Sequence, residues 1–311
     1  ACMPYKPRVR ASADAPMHCI RLPNIVATAD ALQEMSPGDA TGAETLPAAV
    51  LATLAVAALA TLAARPSWRR LPSEPSGAAP RDPALGLAAM LAFVVAGSAG
   101  ALLAAAFIPS DAADSPFARL GRGAAMNLAQ VALAVVAIRS PLFAAGPRAP
   151  LPWRRAAAEG AVGFALVLPI VATLALAVNA AATALGLPPA PEASHETLAI
   201  LRREANPLLT ALTLAHVAVL VPFAEEAGWR GLLHPTIRSF ARPWPACLLS
   251  GALFTAIHWS VIPPEGRPAG LAMLLALGVA LGALRERTGG ILAPAVLHGL
   301  FNAANVALAL A

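Results

Sequence analysis

Beyond residue 45 the chain alternates long apolar runs with short polar segments rich in proline, glycine and arginine. The runs cover 46–64, 84–108, 123–145, 157–186, 207–236, 244–262, 269–285 and 290–310. A hydrocarbon core about 30 Å thick is crossed by about 20 helical residues, so each run has close to a spanning length. Alanine and leucine fill them far more than β-branched residues do, which favours helices over strands. The pattern predicts an all-α, polytopic integral membrane protein of about eight transmembrane helices. Residues 1–45 are polar, irregular and proline-containing, with no apolar stretch ending in a small-residue cleavage site, so they do not read as a signal peptide. Met35 precedes a short neutral-to-acidic stretch that leads directly into the first run; the expectation is a natural start at Met35 with residues 1–34 as an upstream extension. Three sections result: 1–45, expected to be disordered; 46–206, the N-terminal transmembrane helices; and 207–311, the helices that carry the chemistry.

Composition narrows the class. The 311 residues are 58% hydrophobic and only 13% charged, against roughly 25% charged in an ordinary soluble domain. That balance and the mean hydropathy of +0.66 exclude a typical soluble enzyme. The net charge of +5 comes from arginines dispersed between apolar stretches, not from a basic face, so nucleic acid is not an expected partner. Cys2, Cys19 and Cys247 form no CxxC pair and no disulfide framework.

The arginines also predict orientation. Arg65, Arg69, Arg70 and Arg81 follow the first run, Arg139, Arg148, Arg154 and Arg155 the third, Arg238 and Arg242 the fifth, and Arg285 and Arg287 the seventh. The positive-inside rule places these odd loops in the cytoplasm and both termini outside. The even loops carry more acid: Asp111 and Asp114, then Glu192, Glu196 and Glu204, then Glu265.

Ionisable side chains inside apolar runs are costly, and each is a candidate for function. In the fifth run Glu225 and Glu226 are followed by Arg230. Glu226 and Arg230 are four apart and pair along one helix face, whereas Glu225 is turned about 100° away and must find its partner on another helix. Pro222 just before them opens the hydrogen-bond ladder. The sixth run carries Phe254 and His258, and the eighth His298 and Asn302, which share a face. Counted from the expected cytoplasmic ends at about 1.5 Å per residue, Glu225, His258 and His298 fall roughly 12–21 Å into the membrane. His216, Asn127, Gln130 and Asn179 lack such a constellation and read as interhelical hydrogen-bonding residues. His234, at the end of the fifth run, reads as solvated.

A carboxylate in a low-dielectric pocket beside an imidazole can act as a general base on water, and His plus Asn can hold the oxyanion of a tetrahedral intermediate. This set suits peptide hydrolysis. No serine or cysteine triad order and no HExxH helix is present. Glu225, His258 and His298 also make a conceivable ligand set for a divalent ion such as zinc, with water in the fourth position.

The three segments resemble the motifs of the CAAX-protease and bacteriocin-processing family of intramembrane proteases (CPBP), also called abortive-infection proteases. The motif EExxxR is matched by Glu225, Glu226 and Arg230, FxxxH by Phe254 and His258, and HxxxN by His298 and Asn302, in family order on separate runs. The resemblance covers about residues 207–310. It implies an intramembrane endopeptidase acting on membrane-associated proteins or peptides. Glu225 would activate water with help from His258, His298 and Asn302 would stabilise the oxyanion, and Glu226, Arg230 and Phe254 would support the motif. It implies a glutamate-and-water mechanism that requires no cofactor, with a metal-dependent mechanism as the competing view. Together with the arginines, it places the protein in a bacterial cytoplasmic membrane with the site opening toward the cytoplasm.

Two other classes use similar residues. A proton-coupled transporter also needs intramembrane Glu, His and Arg, but would show paired broken segments in its two halves, and none is evident. A non-catalytic scaffold or immunity protein would tolerate Glu225→Gln, and the unpaired Glu225 argues against it.

Overall fold

The structure is a computed structural model that describes residues 41–65, 70–75, 77–187 and 206–310; the expected extension 1–34 and start at Met35 lie outside these. Its elements are α1 (Thr41–Ala64), β1 (Ala78–Pro80), α2 (Pro83–Ala106), α3 (Pro116–Arg139), β2 (Phe143–Ala145), α4 (Trp153–Ala184), α5 (Pro207–Arg238), α6 (Pro243–Ile257), α7 (Arg267–Thr288) and α8 (Leu292–Leu310). Helices α2, α3, α4, α5 and the segment Pro264–Thr288 containing α7 are long and apolar enough to cross a membrane. Ala48–Ala64 of α1, α6 and Leu292–Leu308 of α8 are shorter apolar helices. Leu91, Leu102, Val136 and Val219 point outward, as side chains facing lipid would.

Helix starts are written in an X-Pro signature. Asp82, Ser115 and Asn206 each cap a helix whose first residue is proline, accepting from the backbone N–H groups of Ala84, of Ala118, and of Leu208 and Leu209 respectively. The proline's missing N–H falls where a helix has no acceptor for it. At its far end α7 closes on Gly289, whose φ of +74° is left-handed and whose N–H returns to Arg285 O.

Three local differences from the sequence reading follow from such signals. The third run, read as 123–145, stops as a helix at Arg139, because Ser140 caps it ahead of Pro141. Residues 143–145 instead form β2, antiparallel to β1, with Ala79 opposite Ala144. The sixth run, read as 244–262, stops at Ile257, and His258 is the capping residue of α6, not a mid-helix one.

Helix α5 is the centre of the bundle, packed against α2, α3, α6, α7 and α8. Ala227 and Leu232 of α5 meet Phe93 of α2 and Ala134 of α3. Trp229, Leu233 and Ile237 meet Ala246 and Phe254 of α6. A third cluster joins α4, α7 and α8 through Val171, Leu281 and Leu297. Gly251 and Gly278 let α6 and α7 touch backbone to backbone; a methyl on either would sit about 3.0 Å from the other helix's main chain.

The loops after α1, α3, α5 and α7 gather at one end. Gly77 N–H donates to Arg148 O, Arg148 to the carbonyls of Glu286 and Arg287, Leu151 N–H to Thr288 O, and Arg238 to the carbonyls of Ser73 and Ala241.

Candidate functional site

The site is built on α5, α6 and α8. Helix α5 is not uniform: π-helical segments at His216–Leu220 and Trp229–Leu233 flank the α-helical stretch Val221–Gly228 that carries both glutamates. Glu226 and Arg230 are fully buried and joined at 2.9 Å, the intrahelical pair expected from their spacing. The Arg230 Nη2 donates to Gly278 O of α7 at 2.9 Å, and its guanidinium lies over the Phe254 ring, 4.9 Å from the centroid. These contacts offset part of the cost of burying the charges, while Glu226 Oε2 and Arg230 Nε are buried with no hydrogen-bond partner among the described residues.

His298 of α8 stands between the two glutamates. Its Nδ1 donates to Glu226 Oε1 at 3.1 Å, and its Nε2 faces Glu225 Oε2 at 3.8 Å. The second distance is too long for a direct hydrogen bond. Glu226 thereby fixes the imidazole and turns its other nitrogen to Glu225. The Glu225 side chain is 27% exposed while Glu226 is sealed, so the two adjacent carboxylates occupy different environments. The cross-helix partner that Glu225 was expected to need is His298.

Phe254 connects the remaining histidine. Its ring contacts His258 at 4.7 Å, His298 edge-on at 5.9 Å and Trp229 edge-on at 5.6 Å, centroid to centroid. His258 Nδ1 donates to Phe254 O at 2.7 Å, which leaves Nε2 as the nitrogen carrying a lone pair in the neutral ring. His258 therefore joins the cluster through Phe254 and not through a bond to Glu225. Asn302, one turn along α8 from His298, donates from Nδ2 to Val217 O of α5 at 3.0 Å.

Among the described residues, no group of three or more His, Cys, Asp or Glu side chains is disposed to hold a metal ion. Glu225, His258 and His298, the conceivable ligand set, do not converge on one point in this arrangement.

His216 hydrogen-bonds Asn127 of α3 at 2.9 Å, the interhelical role read for it. His234 differs from its reading as a solvated residue: it is 1% exposed, with Nδ1 on Ser250 at 3.0 Å and Nε2 on Glu286 at 2.9 Å. Glu286 also pairs with Arg238 at 3.3 Å, and Arg285 Nε donates to Arg230 O at 2.9 Å. Arg238 and Arg285 were read as loop arginines set by orientation, yet both are buried inside this end of the bundle. The sequence signal was weak: Glu286 sits between two arginines at a span end, and its partner lies on another helix.

A bundle of long apolar helices with a buried Glu–Arg–His cluster at its centre defines a helical membrane protein with a polar intramembrane site. Residues 207–304 match the family model described as type II CAAX prenyl endopeptidase Rce1-like. The match covers all three motifs, in agreement with their resemblance to the wider CPBP proteases. No curated protein and no solved structure matches the chain.

Proposed function

We propose that the protein is an intramembrane endopeptidase that hydrolyses peptide bonds in membrane-associated proteins or peptides, using water activated by Glu225. The observation that carries this reading is the placement of His298 inside the Rce1-like segment, held by Glu226 on one nitrogen and facing the accessible Glu225 with the other. Glu225 takes a proton from water as the water oxygen bonds to the scissile carbonyl carbon and the C=O π pair moves onto oxygen. His258 makes no bond to Glu225, so on this reading its Nε2 lone pair shares that proton by way of the water. The second amide N–H of Asn302 receives the oxyanion together with the Nε2–H of a His298 ring that carries protons on both nitrogens, its Nδ1–H staying on Glu226. When the intermediate collapses, the C–N bond breaks and the proton passes to the amine that leaves. Glu226, Arg230 and Phe254 hold this set in place. On this reading all eight helices lie in a bacterial cytoplasmic membrane and the site opens toward the cytoplasm, the side favoured by the arginine distribution.

The test compares new protein N- and C-termini in membranes expressing the wild type or Glu225→Gln at matched levels. Products present with the wild type and absent with Glu225→Gln establish the peptidase and name its substrates. Identical termini in the two membranes would sink it, and uptake or release of protons and small solutes would be measured next.

A further inference from the structure

Helix α5 opens its hydrogen-bond ladder twice, on either side of the two glutamates, by one device. In the first π segment the N–H of Val221 returns five residues to His216 O. The carbonyl one residue further on is Val217, and the residue that would serve it in π register is Pro222, which has no N–H. With Val221 already spent, Val217 O has no donor from its own helix in either α or π register, and Asn302 of α8 supplies one at 3.0 Å. The second π segment repeats the arrangement. The N–H of His234 returns to Trp229 O, the next residue is Pro235, and the carbonyl left open is that of Arg230. Arg285 of α7 supplies its Nε at 2.9 Å.

A carbonyl shut away from water without a donor is costly; the contact at Arg230 O is buried and that at Val217 O half-buried, so each outside partner stabilises its π segment. A π segment relaxing to α geometry would turn the helix beyond it by up to about one residue, roughly 100°. Such a turn at the first segment would carry Glu225 and Glu226 away from His298.

We propose that Asn302 and Arg285 are positioning residues: each caps a carbonyl that a proline leaves open in α5, and together they fix the rotational setting of the Glu225–Glu226 stretch against His298. The Asn302 cap uses one of its two amide N–H groups, so it stands beside any contact with the oxyanion. The proposal rests on the protease reading for its catalytic consequence, though not for the hydrogen bonds themselves.

The experiment is a double-mutant cycle on the full chain purified in detergent. Asn302→Leu removes the donor at similar volume, and Pro222→Ala returns a backbone N–H to the position that lacks one. Two quantities are read: the thermal unfolding midpoint, which needs no substrate, and kcat and KM on a substrate identified by the terminus comparison. In the native background Asn302→Leu is expected to lower kcat about 100-fold with KM within about twofold, and to lower the midpoint. In the Pro222→Ala background the same substitution is expected to cost about tenfold less in kcat and to shift the midpoint less. Arg285→Met, read by the midpoint with and without Pro235→Ala, should show the same dependence. Equal losses in both backgrounds would overturn the proposal. Coupling in the midpoint with an equal kcat loss would also overturn it, leaving Asn302 with contact to the oxyanion alone. A wild type that cleaves nothing fails the protease reading and the catalytic role with it, a result distinct from a midpoint cycle without coupling.

Discussion

The imidazole of His298 donates a hydrogen bond from Nδ1 to the sealed Glu226 and turns Nε2 to the partly open Glu225, 3.8 Å away. Two carboxylates adjacent in sequence are thereby separated in role by a single ring. Glu226 is also the counter-ion of Arg230, so its charge supports both the ring and the guanidinium.

Glu226→Gln removes that charge and leaves Arg230 buried without its partner. Breaking a buried pair in this way costs about 3–5 kcal/mol, so the thermal midpoint in detergent should fall markedly. Glu225→Gln leaves the Arg230 pair intact and should abolish cleavage with little change in midpoint. Measuring both midpoints side by side separates the roles; equal drops would show that Glu225 is as structural as Glu226.

Much of this division was legible in the sequence. The four-residue spacing of Glu226 and Arg230 foretold their pair, and the same spacing left Glu225 to seek another helix. What spacing could not show was which helix answered, because His298 reaches α5 only through the way α8 packs. The buried His234–Glu286 contact was hidden for a related reason. Both residues sit where an apolar run ends, and a run's end says nothing about what another loop will cover. Pro222 announced an opened ladder, but neither it nor Pro235 revealed the π geometry, which depends on donors from α7 and α8.

The cluster of His234, Ser250, Glu286 and Arg238 should contribute stability rather than chemistry, since Ser250 is fully buried and reached only by its neighbours. Glu286→Gln would leave Arg238 without its buried carboxylate, a loss of a few kcal/mol, about 3 by the usual cost of stranding one member. Cleavage per folded molecule should stay within about threefold of wild type. A normal midpoint with lost turnover would contradict this assignment.

Helix α8 approaches the first π segment at Gly299, where an added methyl would collide with the Ala218 carbonyl oxygen. Gly299→Ala must therefore push α8 from α5 and displace His298 and Asn302 together. Overpacking of this kind costs about 1–3 kcal/mol, and turnover should fall by more than stability alone explains. Gly121→Ala on α3, where nothing lies within 4 Å of the new methyl, is the matched control and should be neutral or stabilising by up to about 1 kcal/mol. Equal behaviour of the two variants would contradict the close approach.

Chelation offers the last test, and it follows from how the ring nitrogens are used. A zinc site built from Glu225, His258 and His298 would need one nitrogen from each histidine and a carboxylate oxygen, all about 2 Å from one point. His298 Nδ1 is committed to Glu226 and His258 Nδ1 to Phe254 O, which leaves each ring its Nε2. Those two nitrogens and Glu225 would have to be drawn to a common centre, and the described side chains form no such group. Cleavage by the purified protein is therefore expected to survive prolonged treatment with a strong chelator, with kcat unchanged within about twofold. Loss of turnover restored by added zinc, and absent when another divalent ion is supplied, would overturn the water-and-glutamate reading and require α6 to move His258 toward Glu225.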